Sequence, residues 1–312
     1  MDIVKVLVTG GAGFIGSHIV DELLQHGHEV TVVDNLSTGQ LQNVHPQAKF
    51  LKVDIYKDDL NPVFAQGFDI VIHHAAQPNV PRSLKEPIID AEVNILGTIK
   101  LLEACRMHGI KKVIYASSAA VYGTPVKLPI PEEHPLSPLS PYGISKLTPE
   151  YYLRVYHEIY GLRYTILRYA NIYGPRQNPK GEAGVVAIFV DQFCKGQAPT
   201  IFGDGEATRD YVYVGDVAIA NRLALTAGDG ETLNVATGKK VSVNELVRIL
   251  LSITKKDILP IHGPVRPGDI VHSTLSNERI RQVLGWEPQV TLEEGLRRTV
   301  EWAQAQAALE EV

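Results

Sequence analysis

Tyr142 and Lys146 are the two residues whose types and spacing point most directly to acid–base chemistry. They stand four positions apart in a stretch of helical pattern, so their side chains lie on one face of that helix. A phenol with a pKa of about 10 is a weak base at neutral pH, but a neighbouring ammonium favours its ionised form. The pair therefore predicts a tyrosine that exchanges a proton with a substrate hydroxyl.

Two serines, Ser117 and Ser118, directly follow the apolar run Val113–Ala116. That run has the composition of a buried strand, and ligands of parallel sheets bind beyond the carboxyl ends of the strands. We expect a serine hydroxyl here to bridge the substrate hydroxyl and Tyr142. The structural alternative is a pair of serines that merely ends a strand, beside an unrelated surface Tyr–Lys pair.

A glycine-rich run, TGGAGFIG, occupies residues 9–16 between a strand pattern and a helix pattern. Gly10 permits a tight turn, Gly13 lets the backbone approach a pyrophosphate, and Gly16 lets the helix pack closely on the strand. The helix N-terminus offers free N–H groups to phosphate. Asp34 ends the next strand pattern, where a carboxylate binds the adenosine 2′-hydroxyl and repels a 2′-phosphate. The run predicts NAD rather than NADP; the alternative is a glycine turn with a helix-capping Asp.

Placing these residues together requires strands and helices in alternation, and the sequence pattern supplies them. The predicted strands are Ile3–Thr9, Glu29–Val33, Lys49–Val53, Ile70–His74, Val113–Ala116 and Tyr164–Leu167. The helical patterns among them are Phe14–His26, Ile88–His108 and Tyr142–Tyr160. Such alternation predicts an α/β protein with a doubly wound parallel Rossmann sheet.

The alternation weakens after about residue 174, where a Gly- and Pro-rich stretch follows. We predict an NAD-binding domain over residues 1–174, with a returning segment at about 208–237. Residues 175–312 are predicted to form a smaller, discontinuous α/β domain that binds the substrate. Its helical patterns are Val185–Cys194, Val243–Ile253 and Leu292–Ala308.

Composition excludes several classes of protein. The chain has 312 residues, a net charge of −5 and two cysteines, and no apolar run long enough to span a bilayer. Without a dense basic stripe we expect no nucleic-acid partner, and the eleven histidines show no metal-ligand spacing. The N-terminus carries no secretion signal pattern. We expect a cytoplasmic protein with no membrane partner and no metal.

Motifs spread over nearly the whole chain resemble the extended short-chain dehydrogenases/reductases, in particular the NAD-dependent epimerase/dehydratase family and its UDP-glucose 4-epimerase group. The motifs are TGGAGFIGSH from Thr9, DNLSTG from Asp34, HHAAQ from His73, SSAAVYG from Ser117, YGISK from Tyr142, LRYANIYGPRQ from Leu167, GEAGVVAIF from Gly181, TIFGDG from Thr200 with the following TRDYVYVGD, and RPGD from Arg266.

The resemblance implies roles for individual residues. Tyr142 would be the base, Lys146 would hold the nicotinamide ribose and lower the tyrosine pKa, and Ser118 would relay the proton. The residues implied to bind NAD are Gly10, Gly13, Phe14, Ile15, Gly16, Asp34, Asn35, Ser37, Thr38, Gly39, Asp54, Ile55, His74, Ala75, Ala76, Gln77, Asn94, Tyr142, Lys146 and Tyr169. Those implied to bind a UDP-sugar substrate are Ser118, Ala119, Ala120, Tyr142, Asn171, Gly184, Val185, Val186, Thr200, Phe202, Arg209, Arg266 and Asp269.

The implied reaction is a transient oxidation of a UDP-hexose at carbon 4, through a 4-keto intermediate, with NAD regenerated in each turnover. Dehydrating relatives carry an Asp-Glu pair directly after the catalytic hydroxyl, whereas this chain has Ala119-Ala120. The difference favours simple epimerisation. The alternative is a UDP-glucuronate 4-epimerase, because a substrate carboxylate could pair with Arg82, Arg176 or Lys180, or another NAD-dependent nucleotide-sugar epimerase or dehydratase.

Two further classes remain as alternatives. An NADP-dependent carbonyl reductase would carry a basic residue where Asp34-Asn35 stands. A non-catalytic NAD-sensing protein would be expected to lose Tyr142 or Lys146, and this chain keeps both.

The resemblance also implies a substrate range and an assembly. Ser273 stands where relatives restricted to unsubstituted hexoses carry a bulky Tyr. Its small side chain leaves room for a 2-acetamido group, so we expect UDP-N-acetylhexosamines to be accepted. A homodimer is expected, with Ile88–His108 and Tyr142–Tyr160 forming a four-helix interface.

Overall fold

A seven-stranded parallel sheet forms the centre of the protein in the computed structural model, which describes residues 3–180, 184–265 and 270–310. The strands are β1 (Lys5–Thr9), β2 (Glu29–Asp34), β3 (Lys49–Lys52), β4 (Ile70–His73), β5 (Lys112–Ser118), β6 (Arg163–Tyr169), β7 (Asn171–Tyr173), β8 (Thr200–Phe202), β9 (Thr208–Arg209), β10 (Tyr211–Tyr213), β11 (Glu231–Val235), β12 (Val241–Ser242) and β13 (Ile261–Gly263). The central sheet has the order β11-β6-β5-β4-β1-β2-β3. This order confirms the predicted doubly wound α/β fold.

Helices cover both faces of the sheet and build the second half of the chain. They are α1 (Phe14–Gln25), α2 (Asn61–Phe64), α3 (Val80–Lys85), α4 (Pro87–Ala91), α5 (Gly97–Met107), α6 (Pro141–Tyr160), α7 (Val185–Cys194), α8 (Val214–Leu223), α9 (Val243–Thr254), α10 (Glu278–Leu284) and α11 (Leu292–Glu310). Single 3₁₀ turns occur at Leu41–Asn43 and Ala119–Val121, and a π-helical turn at Glu92–Leu96.

The predicted helix Ile88–His108 is interrupted. A π-helical turn over Glu92–Leu96 separates α4 from α5, although the pattern of apolar residues runs through all three segments. A π-turn adds one residue to the helical repeat, which hydrophobic periodicity does not resolve. The turn directs the buried Asn94 side chain towards Gln77, at the carboxyl side of the sheet.

Alternate residues of the central strands enter two separate cores. Val6 and Val8 face α1 and α8, whereas Leu7 between them faces the layer of α5 and α6. All three side chains are fully buried, as the near-continuous apolar composition of β1 predicts for a strand covered on both faces. The sheet is therefore rigidly packed on both sides.

A third core lies apart from the sheet. It packs α7, α9 and α11 together, with Phe193, Leu250 and Leu296 fully buried at its centre. β11 pairs with β6, so the chain returns to the central sheet within the predicted segment 208–237. We propose from this packing that the boundary between cofactor and substrate domains lies near residue 174.

One buried ion pair connects the two strands and the helix that carry the candidate catalytic residues. Arg168 on β6 binds Glu150 on α6 through two hydrogen bonds, Nε to Oε1 at 3.0 Å and Nη2 to Oε2 at 2.6 Å. Both side chains are about 1% exposed. Glu150 Oε1 also accepts a bond from Ser117 Oγ on β5 at 2.6 Å. The Arg168 Nη1 group donates to the Tyr122 hydroxyl at 3.0 Å.

We predict that Glu150→Ala lowers the free energy of unfolding by about 3–5 kcal/mol, because it leaves the Arg168 guanidinium buried without a countercharge. Urea denaturation monitored by circular dichroism measures the change. Arg297→Ala is the control, since Arg297 on α11 is 46% exposed and pairs with exposed glutamates; a change within about 0.5 kcal/mol is expected there. Equal losses in the two variants would contradict a structural role for the buried pair.

Candidate active site

A large cavity of about 870 Å³ opens at the carboxyl end of the central sheet. Five of its lining residues stand at or just after strands: Gly10 after β1, Asp34 at the end of β2, His74 after β4, Ser118 at the end of β5 and Tyr169 at the end of β6. The start of α7 and Tyr211 on β10 line the cavity as well. The cavity thus lies where a doubly wound sheet binds its ligand.

The glycine-rich turn brings the backbone close to this cavity. Gly10 has a φ of +71°, and a Cβ there would lie 2.7 Å from the Ala75 nitrogen. A Cβ on Gly16 would lie 2.2 Å from the Gly10 carbonyl oxygen, so α1 can approach β1 only with glycine at that position. Gly13 caps α1 without a side-chain hydrogen bond, which leaves N–H groups of the first turn for a ligand. These features fit a dinucleotide pyrophosphate.

Asp34 is buried at the adenosine side of the turn. Its Oδ2 accepts a hydrogen bond from the Ala12 nitrogen at 3.1 Å, and its Oδ1 accepts one from the Leu36 nitrogen at 2.8 Å. Burial raises the pKa of the Asp34 carboxyl, and these two bonds oppose the increase. A fixed acceptor at this position suits a ribose hydroxyl.

Asn35 and Asp54 line the cavity beside Asp34. Asn35 Nδ2 donates to Asp54 Oδ2 at 3.0 Å, and the backbone nitrogens of Tyr56 and Lys57 donate to Asp54 Oδ1. Burial raises the pKa of Asp54, but these hydrogen bonds outweigh it and leave the pKa below its ordinary value. The carboxylate therefore organises the loop after β3 around the cavity.

The N-terminus of α6 packs closely against the turn that follows Ser118. Ser140 Oγ caps the helix by accepting a bond from the Gly143 nitrogen at 3.1 Å. A Cβ on Gly143 would lie 2.8 Å from the Ala120 carbonyl oxygen, so glycine allows this close approach. Ser118 Oγ accepts a bond from the Ala120 nitrogen at 3.2 Å. Both Tyr142 and Ser118 line the cavity.

Lys146 lies one helical turn after Tyr142 and is buried behind the cavity wall. Its Nζ stands 4.8 Å from the centre of the Tyr115 ring, a cation–π contact. Burial lowers the pKa of Lys146 to about 8, while Asp90 and Glu150 oppose the decrease. At neutral pH the ammonium form still predominates, and its charge favours ionisation of a neighbouring phenol.

His74 and Tyr169 close the cavity floor as a hydrogen-bonded pair. The Tyr169 hydroxyl lies 2.9 Å from His74 Nε2 and accepts a bond from Asn221 Nδ2 at 2.8 Å. Burial, with the charge of Lys146, lowers the pKa of His74 to about 3, so the imidazole is neutral. The two rings stack with centroids 5.5 Å apart.

Most of the residues singled out in the sequence meet at this cavity. Those that line it are Gly10, Gly13, Phe14, Ile15, Gly16, Asp34, Asn35, Ser37, Thr38, Asp54, Ile55, His74, Ala75, Ala76, Gln77, Ser118, Tyr142, Tyr169, Asn171, Gly184, Val185 and Val186. Lys146 and Asn94 lie behind the wall, and Gly39, Ala119 and Ala120 pack beside it.

The more distant substrate-binding predictions lie elsewhere. Thr200 and Phe202 belong to β8, which pairs with β13 and does not line the cavity. Arg209 Nη1 donates to the carbonyl oxygens of Thr208 and Val271, at 2.9 and 3.2 Å. Arg266 and Asp269 lie outside the described residues. Contact of these five with a substrate stays a prediction.

The cavity also has walls that the sequence patterns did not assign. They include Gln40, Asn43, Val53, Tyr56, Lys57, Pro78, Ile89, Glu92, Val93, Ala170, Ile172, Gln177, Asn178 and Tyr211, together with Arg82, Arg176 and Lys180, which the sequence marked only as partners for a carboxylate. Many directly follow an assigned motif residue, so position beside a motif was the available signal. Ser117, named with Ser118 in the sequence, also lines the cavity.

Neither a metal-binding cluster nor a membrane-spanning helix is present in the described residues. No group of three or more His, Cys, Asp or Glu side chains in the described ranges is arranged to hold a metal ion. No helix in that part of the chain is long and apolar enough to cross a membrane.

Known proteins resemble this chain over nearly its full length. The UDP-glucose 4-epimerase of Mycolicibacterium smegmatis is 45% identical over 306 residues, which cover 96% of this chain and 98% of the relative. The crystal structure of UDP-glucose 4-epimerase with UDP-glucose from Thermotoga maritima superposes with a TM-score of 0.95 at 48% identity, covering 97% of this chain and 99% of that chain.

A third relative differs in its named sugar. The UDP-N-acetylglucosamine 4-epimerase from Methanobrevibacter ruminantium M1, solved in complex with UDP-N-acetylmuramic acid, superposes with a TM-score of 0.94 at 40% identity; the match covers 98% of this chain and all of that chain. The model of the NAD dependent epimerase/dehydratase family matches residues 6–236, which include the glycine-rich turn, Ser118, Tyr142 and Lys146. The chain belongs to the NAD dependent epimerase/dehydratase family.

Proposed function

We propose that this enzyme interconverts UDP-glucose and UDP-galactose by inverting carbon 4 of the sugar, with NAD tightly bound. The observation that carries the proposal is the placement of Ser118 and Tyr142 in the same cavity as the pyrophosphate turn. The Thermotoga maritima relative, solved with UDP-glucose, supports the choice of sugar nucleotide. The function follows from a proton-transfer pair that faces a dinucleotide site.

In this mechanism Tyr142 removes the proton from the sugar 4-hydroxyl, and Ser118 relays it. The Lys146 ammonium, one turn further along α6, favours the phenolate form of Tyr142 that accepts the proton. The first turn of α1 and Asp34 would hold NAD at its pyrophosphate and adenosine ribose. When bound, NAD supplies reversible hydride acceptance, so the 4-keto sugar can be reduced on its other face without a second substrate.

The cavity favours epimerisation over dehydration. Among its described lining residues the carboxylates are Asp34, Asp54 and Glu92, and none of them neighbours Ser118. Removal of the proton at carbon 5, which dehydration requires, needs an additional acid–base group beside the serine. Ala119 and Ala120 occupy the positions where such a group would stand.

A UDP-glucuronate 4-epimerase is the second candidate, and the charge pairing in the cavity disfavours it. Arg82 is paired with Glu86 at 2.6 Å, and Arg176 with Asp21 at 2.7 Å. Lys57 and Lys180 are the other Lys or Arg residues among the described lining residues, and they are exposed. A hexuronate carboxylate would have to displace an existing ion pair or bind a solvated lysine.

We also propose that UDP-N-acetylhexosamines are converted. The Methanobrevibacter ruminantium relative is named for such a sugar at 40% identity. Ser273 has a small side chain, and its backbone nitrogen donates to the Thr208 carbonyl oxygen at 3.1 Å, beside β9. At this position, where relatives restricted to unsubstituted hexoses carry a bulky Tyr, the small side chain leaves space for a 2-acetamido group.

The assembly we propose is a homodimer through the helical layer of α4 to α6. Along α6 the exposed apolar residues Ile144, Tyr151, Val155 and Ile159 recur on one side of the helix. Ile88 on α4 is 74% exposed and belongs to the same layer. A two-fold interface would bury this stripe against its own copy. The free thiols Cys105 and Cys194 fit the reducing cytoplasm, where we place the enzyme.

The most direct test of function is a substrate panel without added cofactor. Purified protein is incubated with UDP-glucose, UDP-N-acetylglucosamine or UDP-glucuronate, and the products are separated by chromatography. We expect 4-epimers of the first two and little or no conversion of the uronate. Conversion confined to the uronate would overturn the assignment, and failure with UDP-N-acetylglucosamine at millimolar concentration would remove the acetamido proposal alone.

Tyr142→Phe removes the proton acceptor while preserving the ring. We expect kcat to fall by about 10²- to 10⁴-fold, the usual contribution of a positioned acid–base group. NAD released from the denatured variant should equal the wild-type amount. Tyr151→Phe is the matched control, because Tyr151 lies on the same helix and is 50% exposed. Near-normal turnover in Tyr142→Phe would refute the role of Tyr142.

The dimer is tested by sedimentation equilibrium. The 34.3 kDa chain should sediment at twice its mass, and Val155→Glu should shift it towards the monomer because a charge cannot be buried unpaired in an apolar interface. Leu259→Glu provides the control, since Leu259 is 82% exposed and lies outside α4 to α6. A monomeric wild-type chain would remove the proposal.

A further inference from the structure

Asp90 is a buried carboxylate with no ion-pair partner in the described part of the chain. It lies in α4 and is 1% exposed. Its Oδ1 accepts hydrogen bonds from Gln77 Nε2 at 2.7 Å and Asn94 Nδ2 at 3.3 Å, both uncharged amides. Buried carboxylates are rarely left without a countercharge. Some nearby cation must therefore account for its position.

Hydrogen bonds connect Asp90 to the start of α6. Asn94 Nδ2, which donates to Asp90, also lies within 2.9 Å of Ser145 Oγ. Ser145 Oγ in turn donates to the Tyr142 carbonyl oxygen at 3.1 Å. Gln77, the other donor to Asp90, lines the cavity. Asp90 is thus built into the wall between the cavity and the helix that carries the candidate catalytic pair.

Lys146 is a buried cation that lacks a directly paired carboxylate among the described residues. Its ammonium contacts the Tyr115 ring, and no carboxylate lies within 4.0 Å of it in the described residues. α4 packs against α6, and the hydrogen bonds through Asn94 place Asp90 beside Ser145, the neighbour of Lys146 in the chain. The titratable and charged groups around Lys146 are therefore Asp90 from α4, Tyr142 and Glu150 from α6, His73 and His74 from the end of β4, and Tyr115 from β5.

Most of these groups supply no net countercharge. Burial, with Lys146 itself, lowers the pKa of His73 and His74 to about 3, so both rings are neutral. Burial holds the pKa of Tyr115 well above its ordinary value. Glu150 is already neutralised by its bidentate pair with Arg168. Asp90 is the remaining anion.

We infer that Asp90 is a positioning residue of the reaction, the buried countercharge that keeps the Lys146 side chain in its ammonium form behind the cavity. The inference rests on the proposed function, because it assigns Asp90 a role in supporting Tyr142 through Lys146. Without the Asp90 charge, burial of the ammonium is opposed less, and Lys146 loses its proton at a lower pH. Tyr142 then loses the cation that favours its phenolate.

The kcat–pH profile of Asp90→Asn in the NAD-loaded enzyme tests the inference. An asparagine Oδ1 can accept both existing hydrogen bonds, so the substitution removes charge and little else. We expect the alkaline limb of the kcat–pH profile to move towards acid by about one pH unit. Relative to the wild type, kcat of Asp90→Asn should fall by about tenfold at pH values above the alkaline limb and change little at pH values below it. KM for UDP-galactose should stay unchanged, because Asp90 lies outside the cavity lining.

Asp216→Asn is the matched control. Asp216 on α8 is also a buried carboxylate that accepts a hydrogen bond from the Val290 nitrogen, but α8 packs on the face of the sheet opposite α6. The alkaline limb of the kcat–pH profile of Asp216→Asn should match that of the wild type. Asp90→Glu retains the charge and should restore most of the limb. If Asp90→Asn does not fold, the pH profile of Asp90→Glu still tests the inference, because a carboxylate moved by one methylene should change the position of the alkaline limb whereas the limb of Asp216→Asn should not move.

The outcomes separate this inference from the proposed function. A wild-type enzyme without turnover of any UDP-hexose would refute the proposed function. Wild-type turnover, with an Asp90→Asn limb that does not move or a kcat reduced by one factor at every pH, would overturn only the role of Asp90, because a merely structural residue has that effect.

Discussion

The buried ion pair between Arg168 and Glu150 is the interaction on which the arrangement of this site depends. Glu150 stands on α6, eight positions after Tyr142 and on the same helical face as Lys146. Arg168 stands on β6, and Ser117, which also binds Glu150, immediately precedes Ser118 on β5. One carboxylate thus fixes the helix of the base against the strand of the proton relay. Burial strengthens this connection, because a displaced partner would leave an unpaired charge in the core.

The same low-dielectric environment sets the chemistry. Burial that holds α6 in place also disfavours the Lys146 ammonium, which must be charged to assist Tyr142. Asp90 offsets that penalty in our account, while the neutral imidazole of His74 adds no second cation nearby. In this account the protein keeps a cation behind the reacting centre by placing one unpaired buried carboxylate near it. Net charge of the whole chain carries no information about this local balance.

Much of the fold could be predicted because its signals are local. The apolar runs of β1 to β6 and the glycine-rich turn are contiguous in sequence, and steric exclusion at Gly16 explains that turn directly. β11 was not predicted as a strand, because Leu233 and Val235 are the only apolar residues of Glu231–Val235, and the segment joins the sheet by pairing with β6. The π-turn at Glu92–Leu96 was not predicted either, because its pattern of apolar residues is that of an ordinary α-helix.

In the candidate site, too, residues with local sequence signals could be predicted and residues whose role depends on long-range packing could not. Tyr142, Lys146 and Asp34 were found from spacing and context, whereas Asp90 resembles any acidic residue at the start of a helix until burial and hydrogen bonding are known. Arg209, predicted as a phosphate ligand, also donates hydrogen bonds to the Thr208 and Val271 carbonyl oxygens, contacts that its side-chain type alone did not indicate; its contact with a substrate stays a prediction. Long-range packing, rather than residue type, separates these cases.

The central claim is that the hydrogen at carbon 4 leaves and returns within one closed site. Isotope retention tests it most directly: UDP-galactose deuterated at carbon 4 is converted in ordinary water without added NAD, and the UDP-glucose formed is analysed by mass spectrometry and NMR. We predict that the product keeps its deuterium at carbon 4, because the label never exchanges with solvent during oxidation and reduction. Loss of the label to water would contradict the account.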